Sequence, residues 1–219
     1  MNAAVLFSGG KDSNLALQKA VDSGMEVECL VAVKPVADDS FMFHKPCVEL
    51  TGLQAERMGF EIVSAEVSGV KEREVDELGD VLSTLDVDAV VSGAIRSQYQ
   101  KSRIDRLVVE LGLRHITPLW HMDGMQLLRE LLELEFKAMI VGVAAEGLGR
   151  EWLGRIIDRG ATEELAELNR KHFVHPAGEG GEYETFVLTG PLYSDEIRVE
   201  GYDVFWDGMS GHLDNVRAV

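Results

Sequence analysis

Hydrophobic positions along this chain fall into short unbroken runs, and stretches with helical spacing lie between them. Ala3-Ala4-Val5-Leu6-Phe7 is the first run, halted by Ser8-Gly9-Gly10-Lys11-Asp12-Ser13, and it predicts a buried strand. Behind it Leu15, Leu17, Ala20 and Val21 recur at roughly helical intervals up to Gly24, which predicts a helix. Val27 to Val33 predicts a second strand, Glu61 to Val67 a third, Ala89-Val90-Val91 a fourth and His115 to Leu119 a fifth. Helices are expected between them: from Pro46 to about Met58 with Gly59 as its stop, over 71–85, and over 97–111. Strand and helix thus alternate five times, and right-handed crossovers make such a series a parallel sheet covered on both faces.

Beyond Trp120 the alternation stops. Helices are expected at Met125–Leu134 and at Thr162–His172, where Thr162 is positioned as a cap. Strands are expected at Ala138–Val143, at Phe186–Leu188 and, as the last, at about Ile197–Trp206. The expected division is an α/β domain over 1–120 and a smaller α+β domain over 121–219.

The turn after the first strand carries the chemistry. Two adjacent glycines let backbone N–H groups approach an anion, and a helix N-terminus adds partial positive charge. Ser8 and Ser13 bring hydroxyl donors and Lys11 a cation, more than a bare β-to-α turn requires. The glycine spacing of a Walker A loop is missing. Ligands of open α/β sheets bind at the carboxyl ends of the strands. Val33, Met42, Phe43 and His44, at and past the end of the second strand, are therefore candidates to wall a nucleotide base. His44 suits a helix entry equally well. Gly93 marks a second glycine turn at the same sheet edge, and Tyr99, Arg103 and Arg106 follow it on the next helix. Surface ion pairing with Asp105 or Glu110 is the competing reading of the two arginines. A second unusual stretch, Gly178-Glu179-Gly180-Gly181-Glu182-Tyr183-Glu184-Thr185, reads either as an acidic surface turn or as a loop offering negative charge to a cation.

Composition narrows the classes. The net charge of −17 over 219 residues disfavours gripping nucleic acid by its phosphates. No apolar stretch is long enough for a membrane span, and the first strand begins too early to leave room for a signal peptide. The two cysteines, Cys29 and Cys47, have neither metal nor redox spacing, and a reducing cytoplasm is the expected compartment. Cys29 reads as core, and Cys47 as a thiol whose reactivity the sequence leaves open.

The Ser-Gly-Gly-Lys-Asp-Ser loop resembles that of the N-type ATP pyrophosphatases, which cleave ATP between its α- and β-phosphates. Gly93-Ala94-Ile95 with Ser97, Tyr99-Gln100 and Arg103 is similar to the diphthine–ammonia ligase family within that superfamily. So are Pro118-Leu119-Trp120, Trp152-Leu153-Gly154-Arg155 and the 178–185 stretch. The matches run in the family's order from residue 5 to about 193. Thr189 departs from the pattern, standing where an aspartate is expected before Gly190-Pro191-Leu192.

The resemblance implies an adenine nucleotide alpha hydrolase-like fold, related to the Rossmann type. It also implies a reaction: ATP adenylylates the carboxylate of diphthine on translation elongation factor 2, and ammonia displaces AMP to give the amide. ATP and Mg²⁺ are the implied cofactors. Ser8, Gly9, Gly10, Lys11, Asp12, Ser13, Val33, Met42, His44 and Gly93 are assigned to the nucleotide, with Lys11, Asp12 and Ser13 as catalytic residues. Asp12 is the candidate magnesium ligand, through water, or else a brace for the loop. Tyr99, Arg103, Glu179, Gly180, Gly181, Glu182, Tyr183 and Glu184 are assigned to diphthine, whose trimethylammonium group suits carboxylates beside an aromatic ring. Elongation factor 2 and ammonia are the implied partners, and a homodimer stays open. The alternatives are a ligase for another carboxylate or RNA substrate and a nucleotide sensor that hydrolyses nothing.

Overall fold

The computed structural model describes residues 1–35, 47–68, 70 and 73–219. Met42, Phe43 and His44 lie outside the described residues. The first half contains β1 (Asn2–Leu6), α1 (Lys11–Asp22), β2 (Glu26–Pro35), α2 (Thr51–Met58), β3 (Ile62–Val67) and α3 (Arg73–Leu82). It continues through β4 (Ala89–Val91), α4 (Gln98–Glu110) and β5 (Arg114–Ile116). Its five strands form one parallel sheet in the order β3-β2-β1-β4-β5. The strand order reverses at β1, so the turn leaving β1 opens at the switch point where such sheets bind ligands.

The second half adds α5 (Gly124–Glu133), β6 (Lys137–Val143), α6 (Arg159–His172), β7 (Tyr183–Thr189), β8 (Val199–Trp206) and β9 (Gly211–Ala218). These four strands form an antiparallel sheet in the order β7-β6-β9-β8. The parallel sheet is buried on both faces, as period-two geometry requires. Ala3 and Val5 join a core that includes Leu15, Phe136, Phe186 and Leu213, while Ala4 packs into a second cluster with Leu78 and Ile104. The first of these cores runs unbroken from one sheet to the other.

Three expectations change. The last strand is β9, not the 197–206 segment: its polar residues outnumber the inward-facing Leu213 and Val216, so it shows no clean alternation. The fifth strand is short, since Pro118 cannot donate a ladder hydrogen bond and the chain turns there. Helix α6 begins one turn earlier than expected. Asp158, not Thr162, is its N-cap and accepts from the Ala161 N–H at 2.8 Å, while the Thr162 hydroxyl donates back to the Asp158 carbonyl. Cys29 is core, as expected. Cys47 is 3 % exposed, and burial, then Glu49 and Asp214, push its thiol up to about 12, so it carries almost no thiolate.

Gly93 shows how tightly the switch point is packed. A Cβ there would stand 2.8 Å from the Asp12 carbonyl carbon and oxygen and 2.9 Å from the Ser13 nitrogen, all backbone atoms at the start of α1. Gly93→Ala is therefore expected to destabilise the fold by about 1–3 kcal/mol, the usual range for overpacking. Urea denaturation reads this against Gly52→Ala, where nothing lies within 4 Å of the added carbon. That control is expected to be neutral or stabilising by up to about 1 kcal/mol.

Candidate functional site

The turn between β1 and α1 is held open by its own backbone. Gly9 takes φ +79°, a conformation that glycine adopts without strain, and Gly10 is the N-cap of α1 with no side-chain cap. The first amides of α1 are thus available at a helix N-terminus, apart from the Lys11 N–H, which donates to Thr185 Oγ1 at 3.0 Å. The Ser13 hydroxyl donates to the Gly10 carbonyl at 3.0 Å, and the Ser8 hydroxyl lies 3.3 Å from it.

The loop is fastened to the second sheet. The Gly9 carbonyl accepts from the Val187 N–H at 3.0 Å, from Gln54 Nε2 at 2.9 Å and from Asn14 Nδ2 at 3.2 Å. Gln54 Nε2 also donates to the Val187 carbonyl at 2.7 Å. Lys11 is 2 % exposed: its Nζ donates to Asp12 Oδ2 at 3.0 Å and to the Ala177 carbonyl at 2.5 Å, and stands 5.1 Å from the Tyr183 ring centre. Tyr183 in turn donates its hydroxyl to the Pro176 carbonyl at 2.5 Å, and full burial raises its pKa well above the ordinary tyrosine value.

A cleft of about 430 Å³ opens over this loop. Ser8, Gly10, Lys11, Asp12 and Ser13 form its floor, Val33 and Gly93 belong to its walls, and residues 178–181 with Glu184 and Thr185 form its far side. The fold thus brings together two stretches that are some 170 residues apart. Within the far wall the carboxylates have separate tasks. Glu179 Oε1 accepts from the Arg96 and Ser97 amides at 2.9 and 2.7 Å, tying the acidic loop to the start of α4. Glu182 accepts from the His175 and Gly180 amides at 3.0 and 2.7 Å, so its carboxylate braces its own loop rather than lining the cleft. Glu184 is on the lining.

Helix α4 meets the cleft through a different face from the expected one. Arg103 stacks over the Tyr99 ring at 3.5 Å and donates to the Tyr99 carbonyl at 3.3 Å, and neither residue is among those lining the cleft. Gln100, Lys101 and Ile104 line it instead. The missed signal is periodicity: 100 and 101 stand four and three residues before Ile104, on the stripe that continues into the buried Val108. Ser92 and Thr185, also on the lining, belong to the second glycine turn and the acidic stretch but were not among the residues assigned to the site.

The arrangement suits a nucleotide polyphosphate. It has helix-end amides, two hydroxyls and a buried lysine at the floor, and apolar wall residues from the ends of β1 and β2. Asp12 adds the feature a magnesium ion needs: its Oδ2 faces Lys11, whereas its buried Oδ1 has no hydrogen-bond partner among the described residues. A hard oxygen ligand beside a phosphate site is the donor that Mg²⁺ takes, with waters completing its shell.

The comparisons agree along the whole chain. Residues 1–115 match the family model of the diphthamide synthase N-terminal domain, and residues 123–219 that of the diphthamide synthase C-terminal domain. A diphthine–ammonia ligase from Homo sapiens is 33 % identical over 227 residues, covering 93 % of this chain and 85 % of the human protein. One from Schizosaccharomyces pombe is 34 % identical over 217 residues, covering 90 % of this chain but 36 % of the longer yeast protein. Among solved structures, a Methanocaldococcus jannaschii protein described as a predicted subunit of tRNA methyltransferase aligns with TM-score 0.46 at 19 % identity, over 87 % of this chain and 98 % of that one. With both of its halves matched in order, the chain belongs to the diphthamide synthase family.

Proposed function

We propose that this protein is an ATP-dependent amide-forming ligase that converts diphthine on translation elongation factor 2 to diphthamide, with release of AMP and pyrophosphate. The observation that carries this reading is the shared cleft: a phosphate-binding floor and an acidic far wall face the same space. ATP would lie with its β- and γ-phosphates against the amides that open α1. A diphthine carboxylate brought in from the acidic side then meets the α-phosphate, and its attack expels pyrophosphate into the loop that holds it. Lys11 stabilises the charge that develops on the departing phosphates. Mg²⁺, held by Asp12, would neutralise charge on the phosphate oxygens. Ammonia is itself a nucleophile, so the second step requires no glutaminase or nucleophilic cysteine, in line with the depleted thiolate of Cys47.

The acidic wall gives the reading its acceptor. Glu184, on the lining with Glu179, supplies a carboxylate for the trimethylammonium group, and Glu179 and Glu182 hold the loop through backbone amides. The ring of Tyr183 faces the Lys11 cation and completes the floor. The net charge of −17 suits a partner docked as a folded protein better than one gripped through phosphates.

The direct test incubates the protein with ATP, an ammonium salt and diphthine-bearing elongation factor 2, and follows the modified histidine by mass spectrometry. The expected result is the small mass decrease of a hydroxyl replaced by an amine, with AMP formed in equal amount. AMP formation with another carboxylate and none with this substrate would overturn the reading, and nucleotide binding without AMP would leave a sensor. Lys11→Met is expected to slow pyrophosphate release about 10²–10³-fold, the scale for losing one donor to a developing anion. Glu184→Gln is expected to raise the KM for the diphthine-bearing protein about tenfold, in the range for a cation site that loses its counter-charge. Nucleotide affinity, measured by titration with ATP alone, is expected to stay within about twofold in the Glu184 variant.

A further inference from the structure

A chain of polar side chains reaches the cleft from the end of β4 and runs back through β5 to α4. Ser92 follows β4 directly and lines the cleft, and its Oγ lies 2.8 Å from His115 Nε2 on β5. The other ring nitrogen, Nδ1, lies 2.6 Å from Asp105 Oδ1 on α4. Lys101 Nζ donates to both oxygens of Asp105, at 3.0 and 2.7 Å. The His115 side chain is 4 % exposed, so the cleft reaches it through Ser92. The partners assign the proton: an ionised carboxylate only accepts, so Nδ1 carries the hydrogen and Nε2 is left to accept from the serine hydroxyl. A hydroxyl, an imidazole and a carboxylate in this order form the arrangement that moves a proton away from a reacting atom.

We propose that Ser92, His115 and Asp105 form a proton relay that removes the surplus proton as ammonia becomes the amide. The proposal rests on the ligase reading above and deepens it. In the step, the ammonia nitrogen forms a bond to the acyl carbon, and the bond from that carbon to the AMP oxygen breaks, its electron pair leaving with AMP. The nitrogen then passes a proton to Ser92 Oγ while the serine's own proton passes to His115 Nε2. Asp105 stabilises the resulting imidazolium. Of the three, Ser92 is the catalytic residue, since it alone lines the cleft, and His115 and Asp105 act through it.

The charged environment suits the task. Burial, joined by Lys101, lowers the pKa of His115 despite Asp105 beside it, so the ring is neutral and ready to accept at neutral pH. Asp105 is pushed up by burial, yet the hydrogen bonds from Lys101 and His115 hold it below the ordinary aspartate value. Both charged partners belong to α4, and the adjoining strand residues Ala89, Val90 and Val91 carry no ionisable group. The sign follows: the relay is competent above the folded-state pKa of His115 and fails as pH falls through it, below the ordinary value of about 6.5.

The test is single-turnover kinetics on the full chain with diphthine-bearing elongation factor 2, at fixed free ammonia across a pH series. Pyrophosphate release and amide formation are followed separately in the wild type, His115→Gln and Asp105→Asn. The expected result for His115→Gln is a loss of about 10²-fold in amide formation at neutral pH, at least tenfold greater than any loss in pyrophosphate release. The acid limb of the wild-type profile should disappear with it. Asp105→Asn, nearly the same shape, should lower amide formation with a native thermal melt, which separates the relay from a folding defect. Equal loss in both steps, or an acid limb that survives in His115→Gln, would reduce these contacts to a structural tie and overturn the relay. A wild type that makes no AMP with this substrate would overturn the ligase reading itself, and the relay with it.

Discussion

The attachment of the phosphate loop to β7 is the constraint on which the rest of the structure depends. The Gly9 carbonyl accepts from the Val187 amide, Gln54 bridges that carbonyl to the Val187 carbonyl, and the Lys11 amide donates to Thr185. These bonds cross from a parallel sheet to an antiparallel one, and they bury backbone groups that would be costly if left unpaired. Gly10 enforces the same closeness: a Cβ there would lie 3.1 Å from the Thr185 carbonyl oxygen. The second sheet therefore completes the cleft over the amides of α1, which is lined by residues from both halves.

From that junction the acidic loop acquires its position. Tyr183, Glu184 and Thr185 of the acidic stretch already belong to β7, so fixing β7 against the loop that opens α1 also fixes residues 178–181 at the rim of the cleft. The loop's own carboxylates hold its shape, Glu182 through the His175 and Gly180 amides and Glu179 through the amides that precede α4. Charge in this loop is therefore partly architectural. Satisfying buried or half-buried amides with ionised acceptors gives short, strong bonds, and Glu179 does so while sharing the lining with Glu184. Lys11 follows the same logic, its ammonium joined to Asp12, the Ala177 carbonyl and the Tyr183 ring, so that the cation at the cleft floor is also the bolt between the halves.

Where sequence reading succeeded, local physics was sufficient. The run Ala3–Phe7 ahead of two glycines became β1 and the open turn, and Gly59 ended α2 in the left-handed conformation at φ +72°. Where the structure departs from expectation, side-chain contacts and strand pairing decided. The resemblance assigned Tyr99 and Arg103 to substrate, yet they stack on each other, and the stripe through Ile104 turns Gln100 and Lys101 to the cleft. Glu182 had the composition of a ligand, but its bonds belong to its own loop. Strand β9 was invisible because its pairing with β8 and β6, rather than its own hydrophobic pattern, makes it a strand.

By itself the sequence determined the alternation of strand and helix, the glycine turn that opens α1 and the presence of an acidic glycine-rich stretch. Each of these rests on spacing and residue type within a few positions, which is the range over which backbone sterics and hydrophobic periodicity act. Only the tertiary structure decided that the two loops share one cleft, which carboxylates line it, and that Ser92, His115 and Asp105 stand in hydrogen-bond sequence beside it. The physical reason is that these relations are set by packing between elements. A hydrogen bond between residues 11 and 185, or 92 and 115, exists only once two sheets and a helix have closed around the same core.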